Sequence, residues 1–452
     1  MLRRRFAAAA ALLAVAGFAP GISAHATAAT GFAPYDWPTY GASSHHTFSV
    51  PTKLTPVSVQ TLLPKWFFPT GDSVTANPVK VGNRIYVGSW DGNFYAINEA
   101  DGTEAWRFAT DAQPSVTPLA GEDIVARASD ITSDGGMITS SAWYEKARDG
   151  RPNLVIFGGG FTLYALNADD GTLYWKHVYP GTGVGGVADP TTDPTRIFTS
   201  PVVVDDQVLI GTTTDGERGL RGYIAAADID TGNPVWKFET DVDMNGNIRN
   251  DGCGGVWSSI TIDDVNDLAI TATSDCHNLA TPPYDEHVLA LHVGGSQPDG
   301  TLAWTYVPSR VAVADQPCDW DFGATANLGV DNTTGNRVLG IGGKDGYLYQ
   351  LNPATGAELH ATNVAFGGIA GGFIGSTAFD GNRFYGATAL GDIPGAVAAG
   401  IPGMCNGVDV RDNGLQDPSI HAFNTDGSIA WEMPLAHSFG ATTVAGGMVF
   451  SA

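Results

Sequence analysis

The chain has 452 residues, 43% hydrophobic and 15% charged, with 58 Gly, 26 Pro and 11 Trp. So much aromatic and so little charged sequence excludes a disordered chain. The formal net charge is −24, from 23 basic and 47 acidic residues, which argues against nucleic acid as a partner, since a phosphate-binding surface needs clustered Lys and Arg.

In chain order, residues 1–28 read as a secretory signal. Arg3, Arg4 and Arg5 form its charged start and Phe6 to Phe18 its short apolar core, while Ala24-His25-Ala26 and Ala26-Thr27-Ala28 are small-x-small cleavage sites. The expected plan is a signal peptide over 1–28 and one domain over 29–452. No later stretch reaches about 18 uninterrupted apolar residues. The expected product is therefore secreted or periplasmic, with no membrane span after signal removal. His45-His46 lies in a Ser-rich polar loop and reads as surface.

Export makes Cys253, Cys276, Cys318 and Cys405 disulfide candidates. Trp257 to Ile262 and Leu268 to Ser274 read as two strands around an Asp263 to Asp267 turn. Folding about Val265 brings Cys253 opposite Cys276, the favoured pair; Cys318 and Cys405 are a second pair or free thiols. No C-x-x-C-H occurs, so these residues encode no covalently attached c-type haem.

A repeat sets the architecture. A β-rich run ending in Gly leads to an aromatic-Ala-hydrophobic-Asn/Asp strand, then an Asp-Gly or Thr-Gly turn and a Trp. Its closing positions are Trp106, Trp175, Trp236, Trp304, His360 (where Trp is expected) and Trp431, spaced by 69, 61, 68, 56 and 71 residues. Strand-period runs punctuated by such turns make each unit an antiparallel sheet of about four strands. One sheet cannot bury both faces alone, and radial stacking around an axis does so. The fold class is thus all-β, a β-propeller of seven or eight blades, with each closing indole a wedge on a neighbouring sheet. Ala441 to Ala452 has the texture of a blade's opening hairpin. Either the sequence is truncated there or residues near Trp37 to Trp66 complete that blade.

This repeat resembles the tryptophan-docking motif of pyrroloquinoline quinone (PQQ) dehydrogenases, and among them the polyvinyl alcohol dehydrogenase-like branch. More specific segments follow in the family's order. Thr212 to Gly222 resembles the segment whose Glu ligates the metal, which implies Glu217; Thr199, eighteen residues earlier, stands where the family places a quinone contact. Gly254-Gly-Val-Trp257 implies Trp257 as the floor under the quinone ring, and Asp275 stands where the family has a metal-binding Asn. Asp319-Trp-Asp-Phe-Gly323 implies Asp321 as the catalytic base, with Asp319 read as a turn or capping group. Gly323 replaces the extra Asp of lanthanide-dependent relatives, which favours calcium. Gly343-Lys-Asp-Gly-Tyr347 implies Lys344 as the cation on the quinone oxygens.

The sequence also departs from the family. Its adjacent Cys–Cys pair is absent, the region reading Met137 to Ala142; Thr75 stands where an acidic contact is expected, and Gly367 to Gly372 lacks a Trp. Asp315 to Cys318 and Pro402 to Asp412 read as long loops on the substrate rim.

The resemblance implies PQQ and calcium as cofactors, an alcohol substrate (polymers included) and a separate electron acceptor such as a cytochrome. The chemistry is coherent. Calcium takes several oxygen ligands, an indole face is a floor for a flat cofactor, and a carboxylate takes the alcohol proton as hydride leaves. The alternative is a propeller that keeps the scaffold as a non-catalytic binding or assembly module. The gathering of Glu217, Trp257, Asp275, Asp321 and Lys344 on one face discriminates the two.

Overall fold

The computed structural model describes residues 31–110, 137–160, 162–179, 197–213, 222–248, 254–274, 283–309, 320–365, 367, 371–390, 419–434 and 438–451. A two-residue strand, β1 (Ser49–Val50), precedes a series of antiparallel sheets. The first comprises β2 (Val79–Val81), β3 (Arg84–Gly88), β4 (Asn93–Asn98) and β5 (Glu104–Ala109). The second comprises β6 (Trp143–Glu145), β7 (Leu154–Gly159), β8 (Thr162–Asn167) and β9 (Leu173–Val178). The third is β10 (Val202–Val204), β11 (Gln207–Thr212), β12 (Tyr223–Asp228) and β13 (Pro234–Glu239). The fourth is β14 (Thr261–Asp263), β15 (Leu268–Ala272), β16 (Val288–His292) and β17 (Leu302–Tyr306). The fifth is β18 (Asn327–Val330), β19 (Arg337–Gly342), β20 (Tyr347–Leu351) and β21 (Glu358–Asn363).

Next come β22 (Gly371–Gly372), β23 (Ala378–Phe379), β24 (Arg383–Ala387), β25 (Ala389–Leu390), β26 (Ile420–Asn424) and β27 (Ile429–Met433). Of these, β23, β24, β26 and β27 form a sixth four-stranded sheet, and β22 pairs with β25. The last sheet is β28 (Thr443–Ala445) and β29 (Met448–Phe450), with β1 added in parallel to β28. The expected terminal hairpin is therefore present, and a strand from the segment between Trp37 and Trp66 joins it. The fold is a β-propeller. Middle strands such as β7 and β15 are buried along their whole length, whereas outer strands such as β5 and β13 contain no buried residue.

The closing tryptophans act as wedges. The six-membered ring of Trp106 lies on Gly171, that of Trp175 on Gly232, Trp236 on Gly300 and Trp304 on Gly356. Those glycines have φ between 70° and 76°, and each turn N–H returns to the end of the strand before it, as Gly171 does to the Asn167 carbonyl at 2.8 Å. Glycine is required twice over here, by the left-handed backbone and by an indole pressed where a Cβ would sit. His360, at the expected station, covers Gly427 in place of an indole; the dock of Trp66 on Gly102 was not foreseen.

A strap from the N-terminal side runs past the first strands of the sheets. Trp37 exchanges two backbone hydrogen bonds with Lys80 of β2, and the Pro38 carbonyl accepts from Tyr144 of β6. Ser44, His45, Thr47 and Phe48 then accept from Ile262, Leu328, Phe379 and Val444, at 2.8 to 2.9 Å. These residues lie on the first strands of successive sheets, which adjoin one another around the axis.

The strap corrects the surface reading of His45-His46. His46 is fully buried, its Nδ1 3.0 Å from Thr261 Oγ1. Only His45 reaches outward, its Nε2 3.0 Å from Asp264. Sequence polarity misled because the loop's backbone polar groups are satisfied by inner strands rather than by water. The strand expected over Trp257 to Ile262 is also shorter, starting at Thr261, because the Ser259 N–H goes to the Thr325 hydroxyl instead of a ladder partner. The signal segment and all four cysteines, with the Cys253–Cys276 pairing, lie outside the described residues.

Candidate functional site

Three sequence-designated residues converge at one end of the fourth and fifth sheets. Trp257 stands in the lead-in to β14, Asp321 in the lead-in to β18, and Lys344 in the turn between β19 and β20. The indole Nε1 of Trp257 donates to Asp321 Oδ2 at 3.1 Å. Lys344 Nζ lies 3.0 Å from Asp321 Oδ1, and the Lys344 backbone N–H donates to the Asp321 carbonyl at 2.9 Å. The same ammonium lies 5.0 Å from the centroid of the Trp257 ring. Asp321 and Lys344 are buried, and Trp257 is half-buried.

Local sequence explains each placement. Gly254, with φ of 61°, packs closely on Thr240, and Gly255 passes beside Thr213 and Ser274, where a Cβ would collide. This close passage is fixed by Val256 N–H to the Thr212 carbonyl at 2.8 Å and Ser274 N–H to the Gly255 carbonyl at 2.7 Å. Ser258 then donates to the carbonyls of Phe322 and Ala324, at 2.7 and 2.9 Å. Gly323 lies flush with the benzo edge of Trp257, so that any Cβ at 323 would overlap the indole.

The Lys344 turn repeats a turn of the first sheet. Asp91 accepts from the Tyr95 hydroxyl at 2.5 Å, and Asp345 accepts from Tyr349 in the same i to i+4 relation. The shared scaffold presents Trp90 in one copy and Lys344 in the other.

A carboxylate held between an ammonium and an indole N–H is compensated inside the protein, and a carboxylate so placed can serve as a general base. Thr199 is buried, and its hydroxyl donates to the Gly211 carbonyl at 3.1 Å and accepts the Gly211 N–H at 2.8 Å. Ser140 makes the same pair of bonds with Gly158, so this brace recurs one sheet earlier. Thr75 Oγ1 accepts from the Trp90 indole at 2.9 Å. Glu217, Asp275 and Asp319 lie outside the described residues, as do the two rim loops. Sequence reasoning missed Ser258 and Glu286, whose carboxylate accepts the Trp320 N–H at 3.0 Å. Neither carries a signal beyond being polar.

The family model described as the glucose/ethanol/alcohol dehydrogenase β-propeller domain, PQQ, matches residues 37–366. The chain is 26% identical over 385 residues to quinohemoprotein alcohol dehydrogenase ADH IIB of Pseudomonas putida, covering 77% of this chain and 50% of that one. It is 23% identical over 376 residues to polyvinylalcohol dehydrogenase of Sphingopyxis sp., covering 77% and 53%. The chain thus spans about half the length of the curated relatives it matches. Among solved structures, a europium-containing methanol dehydrogenase superposes with a TM-score of 0.68 at 18% identity, over 92% of this chain and 81% of that one. The quinohemoprotein alcohol dehydrogenase of Comamonas testosteroni gives 0.66 at 17% identity, over 94% and 71%. At such identities the likeness establishes the fold.

Proposed function

The chain belongs to the PQQ-dependent glucose/ethanol/alcohol dehydrogenase β-propeller family, and we propose that it oxidises an alcohol using that quinone. The observation that carries the reading is the buried contact of Asp321 with both Lys344 and Trp257. A scaffold has no need of a desolvated carboxylate there.

The residues present fit a flat, anionic quinone. The half-buried indole of Trp257 offers a planar face, and Lys344 offers a positive charge 5.0 Å from the centre of that ring. When bound, the cofactor supplies the hydride acceptor. Asp321 accepts the hydroxyl proton of the alcohol, converting it towards an aldehyde or ketone. Lys344 balances the charge of Asp321 and of the cofactor, and Trp257 orients Asp321 through its indole N–H. Thr199, which braces Gly211, is proposed to support the cofactor's edge. Calcium is proposed on Glu217 and Asp275, whose carboxylates have the hard oxygens this ion prefers.

Among the described residues no helix is long and apolar enough to cross a membrane. We take the protein as exported, with electrons passing to a separate acceptor such as a cytochrome. The substrate class is alcohols from small primary and secondary ones to polyvinyl alcohol.

Reconstitution tests this. Protein mixed with PQQ and calcium should change the quinone absorbance at micromolar concentration and reduce an artificial acceptor when an alcohol is added. Asp321→Asn should abolish turnover while leaving quinone binding intact; Glu217→Gln should weaken calcium and quinone binding together. If no quinone binds, a binding-module reading replaces this one.

A further inference from the structure

Glu286 lies outside every role assigned so far, and its surroundings are unusual. It belongs to the short link before β16, in the fourth sheet. Its side chain is buried, yet its backbone is left-handed, with φ of 50°. A residue with a Cβ and no local side-chain compensation enters that region at a cost, and persists there only when its neighbours over-determine it. They do. Thr273 Oγ1 donates to the Tyr284 carbonyl at 2.6 Å and accepts the His287 N–H at 2.9 Å. The Glu286 N–H donates to the Ser274 carbonyl at 3.1 Å.

This frame sends the Glu286 carboxylate across to the fifth sheet, where Oε1 accepts the backbone N–H of Trp320 at 3.0 Å. Trp320 is the residue immediately before Asp321. Its ring fits against Gly367, where a Cβ would overlap the indole. The lead-in bearing Asp321 is thus gripped on both sides. Ser258 holds the carbonyls after it, and Glu286 holds the amide before it. A charged acceptor makes the stronger kind of hydrogen bond to a backbone amide.

We infer that Glu286 is a positioning residue for Asp321, fixing the backbone from which the carboxylate reaches the alcohol hydroxyl. The inference rests on Asp321 being the base. Misplacing a reacting group by about 1 Å can cost as much as ~100-fold in rate, so an anchor one residue away affects kcat more than binding.

Three variants of the whole chain test it. Glu286→Gln keeps an acceptor oxygen, Glu286→Ala removes it, and Glu286→Gly removes it while relieving the left-handed backbone. Amide exchange followed by mass spectrometry, without quinone, reads the anchor directly. Exchange over residues 320–324 should quicken about tenfold or more in the Ala and Gly variants and stay near wild type in Gln. In the PQQ- and calcium-loaded protein, kcat should fall about tenfold or more in Ala and Gly, with KM and quinone affinity nearly unchanged, and Gln should restore it. Glu286→Gly should melt above Glu286→Ala because it relieves the left-handed backbone. An equal fall in kcat in the two despite that difference separates positioning from loss of stability, and the Gly variant serves if the Ala variant does not fold. Unchanged exchange at 320–324, or a Gln variant as impaired as Ala, overturns the inference. If wild-type protein shows no quinone turnover while exchange quickens as expected, the base assignment of Asp321 fails, and the positioning role falls with it.

Discussion

The backbone N–H of Ser200 donates to the hydroxyl of Ser259, 2.9 Å away, from the third sheet to the fourth. The relation is one link of a chain around the axis. Asn77 donates to Ser141, Ser141 to Ser200, Ser259 to Thr325 and Thr325 to Ser376, at 2.8 to 3.1 Å. Each hydroxyl stands two residues before the first strand of its sheet and satisfies the equivalent amide of the sheet before. An amide there faces the axis, has no ladder partner, and would otherwise be buried unsatisfied. The same backbone carries Trp257 two residues before Ser259 and Thr199 one residue before Ser200, so this series of bonds fixes the height at which the site residues emerge.

Ser259→Ala should therefore cost more than a lost surface hydroxyl. It strands the Ser200 N–H in the interior, and the expected loss is about 1–3 kcal/mol. Ser259→Thr, which keeps the hydroxyl as Thr325 does, should lose less. Urea denaturation of the two variants checks this; equal losses would mean that the hydroxyl is not what matters.

The docking wedges give a prediction in two directions. Trp175 is almost wholly buried, its Nε1 donates to the Ile229 carbonyl at 2.8 Å, and its ring covers Gly232. Trp175→Ala should cost about 3–5 kcal/mol. At the equivalent station His360 covers Gly427 with a smaller, more polar ring. His360→Trp should bury more apolar surface and raise stability by about 1–2 kcal/mol. A thermal melt that falls in His360→Trp would show that this dock has closed around the imidazole.

The docking pattern was legible because it repeats: glycine, turn and indole recur in each unit, and the physical demand is local. The site was legible only in its membership. Nothing in the spacing showed that Lys344 pairs with Asp321, since the two belong to different strand connections that meet only after the fifth sheet forms. Glu286 was invisible because it is one polar residue in a polar link. The strap was misread for a related reason. His46 meets Thr261 across 215 residues, and no periodicity in a Ser-rich loop signals burial by distant inner strands. The hydroxyl series is carried by single Ser and Thr residues, one per sheet, whose polarity alone does not separate them from solvated ones.

Lys344 and Asp321 should behave as a coupled pair. Both side chains are at most 10% exposed, so Lys344→Met leaves a buried carboxylate without its cation, at a cost of about 3–5 kcal/mol. Asp321→Asn in the same background removes that buried charge and should recover most of the loss. A double-mutant cycle from denaturation midpoints measures the coupling. Additive effects would mean that the 3.0 Å contact carries no interaction energy.

His46 supplies a pH dependence of defined sign. Burial, with the charge of neighbouring His45 adding to it, pushes its pKa down from 6.5 to about 3. Its Nε2 has no hydrogen-bond partner among the described residues, and Tyr40 packs beside the ring. Between about pH 6.5 and 3 the unfolded chain takes up a proton at this residue and the folded chain does not. Stability contributed by neutral His46 is complete above 6.5 and falls on acidification by about 1.4 kcal/mol per pH unit, until the folded residue itself titrates. Asn tolerates the left-handed φ of 50° at this position and can still meet Thr261. His46→Asn should thus lose some stability at pH 7 yet close the gap with wild type steadily below pH 6.5. Carboxylates that titrate alike in both proteins cancel from the comparison. Urea midpoints at pH 7, 6, 5 and 4 provide the measurement. Parallel curves for the two proteins would show that His46 titrates alike in the folded and unfolded chain, and that burial beneath the strap does not govern its charge.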